Sequence, residues 1–157
     1  MRAEPTPTLP ESSPGAARTH IVDAHTRIRA IITEVDRIAV AVAAGDLEKV
    51  PLLRERAGEL YRVIADHVGH EEATLIPFLK KIDAWGAVRC EQLRADHINQ
   101  LETLQRATSD LDFRGVELGR SVQSMCWEIL HDMRREEHDL LHPDLWREEM
   151  VIVEFGG

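Results

Sequence analysis

The sequence predicts an all-α protein, an up-down-up-down antiparallel four-helix bundle. Apolar residues recur every three or four positions through four long segments, and the connections between those segments are short. Aromatic residues make up only 4% of the chain, and Ala, Leu, Ile, Val, Glu and Arg dominate, a composition that suits helices. At 157 residues the chain is most simply one domain, long enough to bury a core without disulfide or metal staples.

Residues 1–17 are rich in Pro, Thr, Ser and Glu and have no apolar period, so they read as a disordered leader ahead of a bundle spanning 18–143. The first helix, about Thr19 to Ala44, carries Ile21, Ala24, Ile28, Ile31, Ile32, Val35, Ile38 and Val42 on one face. Gly45 supplies a stop and Asp46 a start for the next element. The second helix, about Leu47 to Lys80, has the inward stripe Leu53, Leu60, Ile64, His67, Glu71 and Leu75. Pro51 lies near its start, where proline is tolerated, and Pro77 is expected to bend or loosen its last turn. The third, about Val88 to Asp110, follows a turn at Ile82–Gly86 and presents Leu93, His97, Leu101 and Leu104. The fourth, about Val116 to Leu141, presents Val122, Cys126, Ile129, Met133, Glu137 and Leu141, with Pro143 as its stop. A tail, 144–157, carries Trp146 and the apolar run Met150–Val153 with Phe155. It is expected to cap an open end of the bundle, or else to serve a second copy or another protein.

The formal net charge of −9 and the lack of a basic block argue against nucleic acid as a partner. No apolar run reaches membrane-spanning length and no signal-peptide core is present, so a cytoplasmic location without membrane association is expected. Cys90 and Cys126 form no CxxC pattern and read as reduced, half-buried thiols.

His67 and Glu71 stand four apart on the second helix, which places an imidazole and a carboxylate on one face, one turn apart. Such a pair can ligate one metal ion, or two with the carboxylate between them. Shifting the chain by 66 carries Glu71, Leu75 and Pro77 onto Glu137, Leu141 and Pro143. His25 and His97 form a second related pair, one on each remaining helix. The chain thus reads as two helical hairpins that bring His25, His67, Glu71, His97 and Glu137 to one level of the core. A buried ionised carboxylate costs several kcal/mol, roughly, unless it is paired or bound to a cation, so this pattern favours a metal site over ordinary packing.

These residues resemble the hemerythrin-like, or HHE cation-binding, family. Its pattern is a histidine on helix one, His-x-x-x-Glu on helix two, a histidine on helix three and His-x-x-x-Glu on helix four. His25 matches the first position, His67 and Glu71 the second, with Glu72, Leu75 and Pro77 trailing, His97 the third, and Glu137 the final carboxylate. The resemblance covers about Thr19 to Pro143 and implies a four-helix bundle holding non-haem iron. It departs at Met133, which stands where the family has its fourth-helix histidine. His131, with Glu136 five residues on, and His138, four before His142, are the alternative donors, but His131 lies about 200° around the helix from Met133. His20 and His70 read as surface or supporting groups.

The resemblance implies a di-iron centre, or a mono-iron one if the missing ligand leaves it partial, and the donors also suit zinc or manganese. Three roles are expected: binding or sensing of O2, NO or iron; a peroxidase-like or iron-repair enzyme at the same site; or a degenerate bundle acting as an interaction module. The open position would admit a small diatomic ligand or peroxide.

Overall fold

In the computed structural model, the described residues are 13–109 and 114–146. The expected leader up to residue 12, most of the connection before Gly115, and the tail from 147 onward fall outside them. Four helices account for most of the described chain: α1, Pro14–Ala43; α2, Val50–Ile82; α3, Gly86–Ser109; and α4, Val116–Asp139. They form an antiparallel four-helix bundle in the expected up-down-up-down order. Each packs against its neighbour in sequence and α4 closes the ring on α1; the α1–α4 and α2–α3 seams are the most extensive and α3–α4 the least. Among the described residues, no helix is long and apolar enough to cross a membrane.

α1 begins five residues before the expected Thr19. Ser13 caps it by accepting from the Ala16 N–H at 3.3 Å, and Pro14 occupies the first turn, where a missing N–H costs nothing. Ala17 and Ile21 are already buried, which anchors this early turn. Gly45, at a φ of 105°, reverses the chain after α1. α2 runs through Pro77 to Ile82, two residues beyond the expected end. The proline ring faces solvent, while Leu75, Ile76 and Leu79 are buried on the opposite face and hold the last turn in place. α4 ends two residues earlier than expected. Leu140 and Leu141 both donate their N–H to the Glu136 carbonyl, at 2.8 and 3.0 Å, as the helix closes.

The apolar core is in two parts. The larger cluster runs from Ile28, Val68, Leu104 and Met133 towards Val42, Leu53 and Leu118. The smaller contains Ala17, Ile21, Leu75, Leu79, Cys90, Leu93, Leu141 and Trp146. Trp146 closes this smaller cluster: its indole N–H donates to the Leu140 carbonyl at 2.6 Å and its ring meets Phe78 edge-on at 5.3 Å. Both cysteines are free and fully buried, more deeply than the half-buried positions expected, and burial pushes the Cys126 thiol up to about 12. Between the two clusters each helix carries polar residues on its core face. Ile21 and Ile28 bracket His25, Val68 and Leu75 bracket Glu71, Leu93 and Leu104 bracket His97, and Met133 and Leu141 bracket Glu136 and Glu137. A polar layer therefore crosses an otherwise apolar bundle.

Candidate metal centre

Each donor in this layer occupies a core-facing helical position, so burial of the flanking apolar residues fixes it in place. His25, Glu71 and His97 are the buried polar residues of the described chain, at 0%, 1% and 3% exposure. The His67 side chain is 9% exposed, and its ring meets that of His25 edge-on at 4.9 Å. Two groups of donors form: His25, His67 and Glu71, and Glu71, His97 and Glu136, the atoms of each group lying within 4.8 Å of one another. Glu71 belongs to both.

Most of these atoms stand wider apart than hydrogen-bonded pairs and close enough to share an ion. His25 Nε2 lies 3.6 Å from Glu71 Oε1 and 3.7 Å from Glu136 Oε2. His67 Nε2 is 3.4 Å, and His97 Nε2 3.2 Å, from Glu71 Oε2, and His97 Nε2 is 3.8 Å from Glu136 Oε1. Hydrogen bonds of this type cluster at about 2.7–3.2 Å. Two donors bound to one ion at about 2.1 Å stand roughly 3.0 Å apart at a right angle and roughly 3.4 Å apart at the tetrahedral angle. His25 Nε2, His67 Nε2, both oxygens of Glu71 and Glu136 Oε1 are buried without a hydrogen-bond partner. Native interiors rarely leave such atoms unsatisfied, and here five converge. The donor set of imidazoles and carboxylates fits a non-haem metal ion.

The remaining ring nitrogens of His25 and His97 are fixed from outside the layer. His25 Nδ1 pairs with Glu137 Oε1 at 2.9 Å, and His97 Nδ1 with Glu72 Oε1 at 2.9 Å. Such outer carboxylates set the tautomer and aim the opposite nitrogen inward. Glu137 is held in turn by the Arg29 guanidinium at 2.8 Å, one turn beyond His25 on α1.

The charges follow the geometry. Burial alone would raise the Glu71 carboxyl, but His25, His67 and His97 reverse this and hold it well below the ordinary carboxylate range. Burial raises Glu136 to about 7, with His97 opposing and the nearby Glu71 charge adding. Burial lowers His97, yet Glu136, Glu71 and Glu72 outweigh it and bring the imidazole to about 10. His25 is likewise raised, burial being outweighed by Glu71 and Glu136. For Glu137, burial is outweighed by Arg29 and His25, and the carboxyl is lowered. Without a cation, the layer's carboxylates favour the protonated forms of His25 and His97.

Of the residues singled out from the sequence, His25, His67, Glu71 and His97 meet in the layer. Glu137 does not enter either donor group; its neighbour Glu136 does. The reason lies at the helix end. Glu71 and Leu75 are one helical turn apart within α2, whereas α4 stops at Asp139, so the path from the layer to Leu141 leaves the helix and uses one more residue. Aligning the two Leu-x-Pro ends therefore carries the glutamates one position out of register. Arg29 was the signal that could have revealed this, as a cation on α1 placed to draw one of the two adjacent glutamates outward. Met133 is 3% exposed within the larger apolar cluster. His131 is 59% exposed and stacks on Trp127 at 5.5 Å, facing away as its position around the helix requires. His138 and His142 are exposed and lie beside Asp139 and Asp144. His20 and His70 meet at 4.8 Å between ring centres, both exposed.

The hemerythrin HHE cation binding domain matches residues 17–145 in a comparison with protein families. The chain belongs to that family. No curated protein and no solved structure gives a match. The matched segment holds the whole polar layer, so the family's hemerythrin-like fold and the buried His/Glu cluster coincide in one bundle.

Proposed function

We propose that this hemerythrin-like protein holds non-haem iron in the polar layer and binds or senses a small ligand there, O2 or nitric oxide. One observation carries the reading: Glu71 is shared by two donor groups and both its oxygens are buried without partners. A carboxylate so placed suits two adjacent cations, one beside His25 and His67 and the other beside His97 and Glu136. Imidazole and carboxylate donors suit iron and also accept manganese or zinc; neither donor group contains a thiolate to favour a softer metal. Iron supplies reversible binding of small diatomic molecules when a coordination position is open. The α4 side supplies no imidazole to the layer, whether the missing donor is counted at Met133, one turn before Glu137, or one turn before Glu136. The second position therefore has one imidazole against two at the first, and each keeps coordination positions open beyond its three donors.

Ferrous protein prepared without oxygen is expected to develop ligand-to-metal absorption on exposure to O2, or a new spectrum with NO, reversed when the gas is removed. Iron-loaded protein that responds to neither gas would contradict the sensing role while leaving metal binding intact. A cavity of about 470 Å3 between α3 and α4 is lined by His97 and Glu136 and gives a small molecule a route to this layer. That route also favours a second reading, a peroxidase-like enzyme, for which steady-state loss of peroxide is the test.

Three further results are expected. Metal uptake at pH 7 should release protons, because His97 is raised to about 10 in the metal-free layer and must shed its proton to ligate, with His25 raised in the same direction. Affinity should therefore rise from pH 6 to pH 9, and calorimetry in buffers of different ionisation enthalpy measures the protons released. In the metal-free protein the raised His97 value has the opposite consequence for stability. Its contribution is complete below the ordinary 6.5 and is lost as pH rises through about 10. Glu137→Ala should lower metal affinity by about 10- to 100-fold, the usual cost of losing a group that orients a histidine ligand. Competition with a chelator reads this directly.

A further inference from the structure

We propose that Asp132 is the cavity-side ligand of the second metal position, the one formed by Glu71, His97 and Glu136. This inference rests on the metal-binding reading above and adds a ligand that the two donor groups do not contain.

The roles in the layer repeat more regularly than the sequence does. Glu71 supplies a layer carboxylate and Glu72 holds His97; Glu136 supplies the other layer carboxylate and Glu137 holds His25. These pairs are related by a shift of 65 residues, not the 66 that aligns the Leu-x-Pro ends. Under that shift His67, the ligand one turn before Glu71, falls on Asp132, one turn before Glu136. Met133 leaves the comparison, since it packs among Ile129 and the other apolar residues of the larger cluster.

The surroundings of Asp132 suit this assignment. Together with His97 and Glu136 it lines the cavity at the α3–α4 seam, and Glu136 Oε1 is buried without a partner. Asp132 Oδ2 accepts from Gln100 Nε2 at 3.2 Å, across the seam and three residues beyond His97, so the carboxylate faces the His97 side. Its side chain is 20% exposed, and Arg135 approaches its Oδ1 at 3.5 Å while making a closer contact, 2.9 Å, with Asp96. Exposed pairs of this kind are weak, so a cation can take the carboxylate and leave Arg135 with Asp96. Residues four apart on a helix stand roughly 6 Å apart at Cβ, within reach of one ion for an aspartate and a glutamate. A carboxylate oxygen is a hard donor, suited to iron or manganese.

Cobalt(II) titration of the whole chain, followed by absorbance and calorimetry, tests the assignment. The wild-type protein should bind cobalt in two steps. Asp132→Ala should leave the first step unchanged and weaken the second at least about tenfold. Asp132→Asn, which keeps the Gln100 contact, should weaken it likewise, so a folding defect in one variant does not decide the matter. Asp132→His should keep the second step, and Met133→His should not strengthen it. The proposal is overturned if Asp132→Ala and Asp132→Asn bind both equivalents as the wild type does, or if Met133→His strengthens the second step and Asp132→His abolishes it. A wild-type chain that binds no cobalt at all overturns the metal-binding reading together with this one.

Discussion

Glu71→Gln is expected to empty the centre, taking bound iron from two per chain to near zero. The substitution keeps the volume of the side chain and removes only its charge and one acceptor oxygen. Glu71 contributes to both donor groups, so both positions lose a ligand at once. The loss should exceed the 10- to 100-fold, roughly, that follows removal of an orienting group, since here the shared ligand itself goes. The metal-free protein should also suffer. This carboxylate is the main group raising His25 and the second, after Glu136, raising His97, and a buried ion pair that loses one partner typically costs about 3–5 kcal/mol. Urea unfolding of the metal-free variant measures that loss, and metal analysis of the loaded variant measures the first. Two tightly bound irons in Glu71→Gln would show that the shared carboxylate is not the ligand assigned to it.

The second large effect is expected far from the layer. A Cβ at Gly86 would lie 2.0 Å from the carbonyl oxygen of Leu79 and 2.9 Å from its carbonyl carbon, so Gly86→Ala forces the last turn of α2 away from the first turn of α3. Backbone cannot yield as a side chain can, and the cost should reach the upper end for overpacking, about 3 kcal/mol. For a chain of this size that is a fall in Tm of roughly 6–12 °C. His97 lies on α3 and its partners Glu71 and Glu72 on α2, so separating the two helices should weaken the second metal position before the first. A thermal scan of the metal-free variant checks the stability loss; an unchanged Tm would mean that α2 and α3 do not meet as closely as described.

Much of this arrangement can be read from the chain alone. The helical stripes are long and regular, and burying them leaves little choice but a four-helix bundle. His25, His67, Glu71 and His97 could be found because each interrupts an apolar stripe, where an imidazole or carboxylate needs a partner. The α4 carboxylate could not be chosen in the same way. Glu136 and Glu137 stand three and four residues after Met133, and both positions continue its stripe. What separates them is tertiary: Arg29 on α1 holds Glu137 at 2.8 Å, and the early end of α4 breaks the register carried by Leu141 and Pro143. The start of α1 was missed for a local reason. The apolar period is weak before Ile21, and the capping geometry of Ser13 and Pro14 carries no hydrophobic signal. The thiols were placed too near the surface because a cysteine's residue type gives no sign of its depth, whereas the packing of α3 against α2 and of α4 against α1 buries both.

The presence of a di-metal centre is most directly settled by counting iron. Anaerobic titration of the metal-free chain with ferrous iron, read by calorimetry and by iron analysis after desalting, should give two ions per chain. The first should bind beside His25, His67 and Glu71 and the second, more weakly, beside His97 and Glu136. No retained iron, or iron retained equally by wild type and Glu71→Gln, would contradict a metal centre in the polar layer.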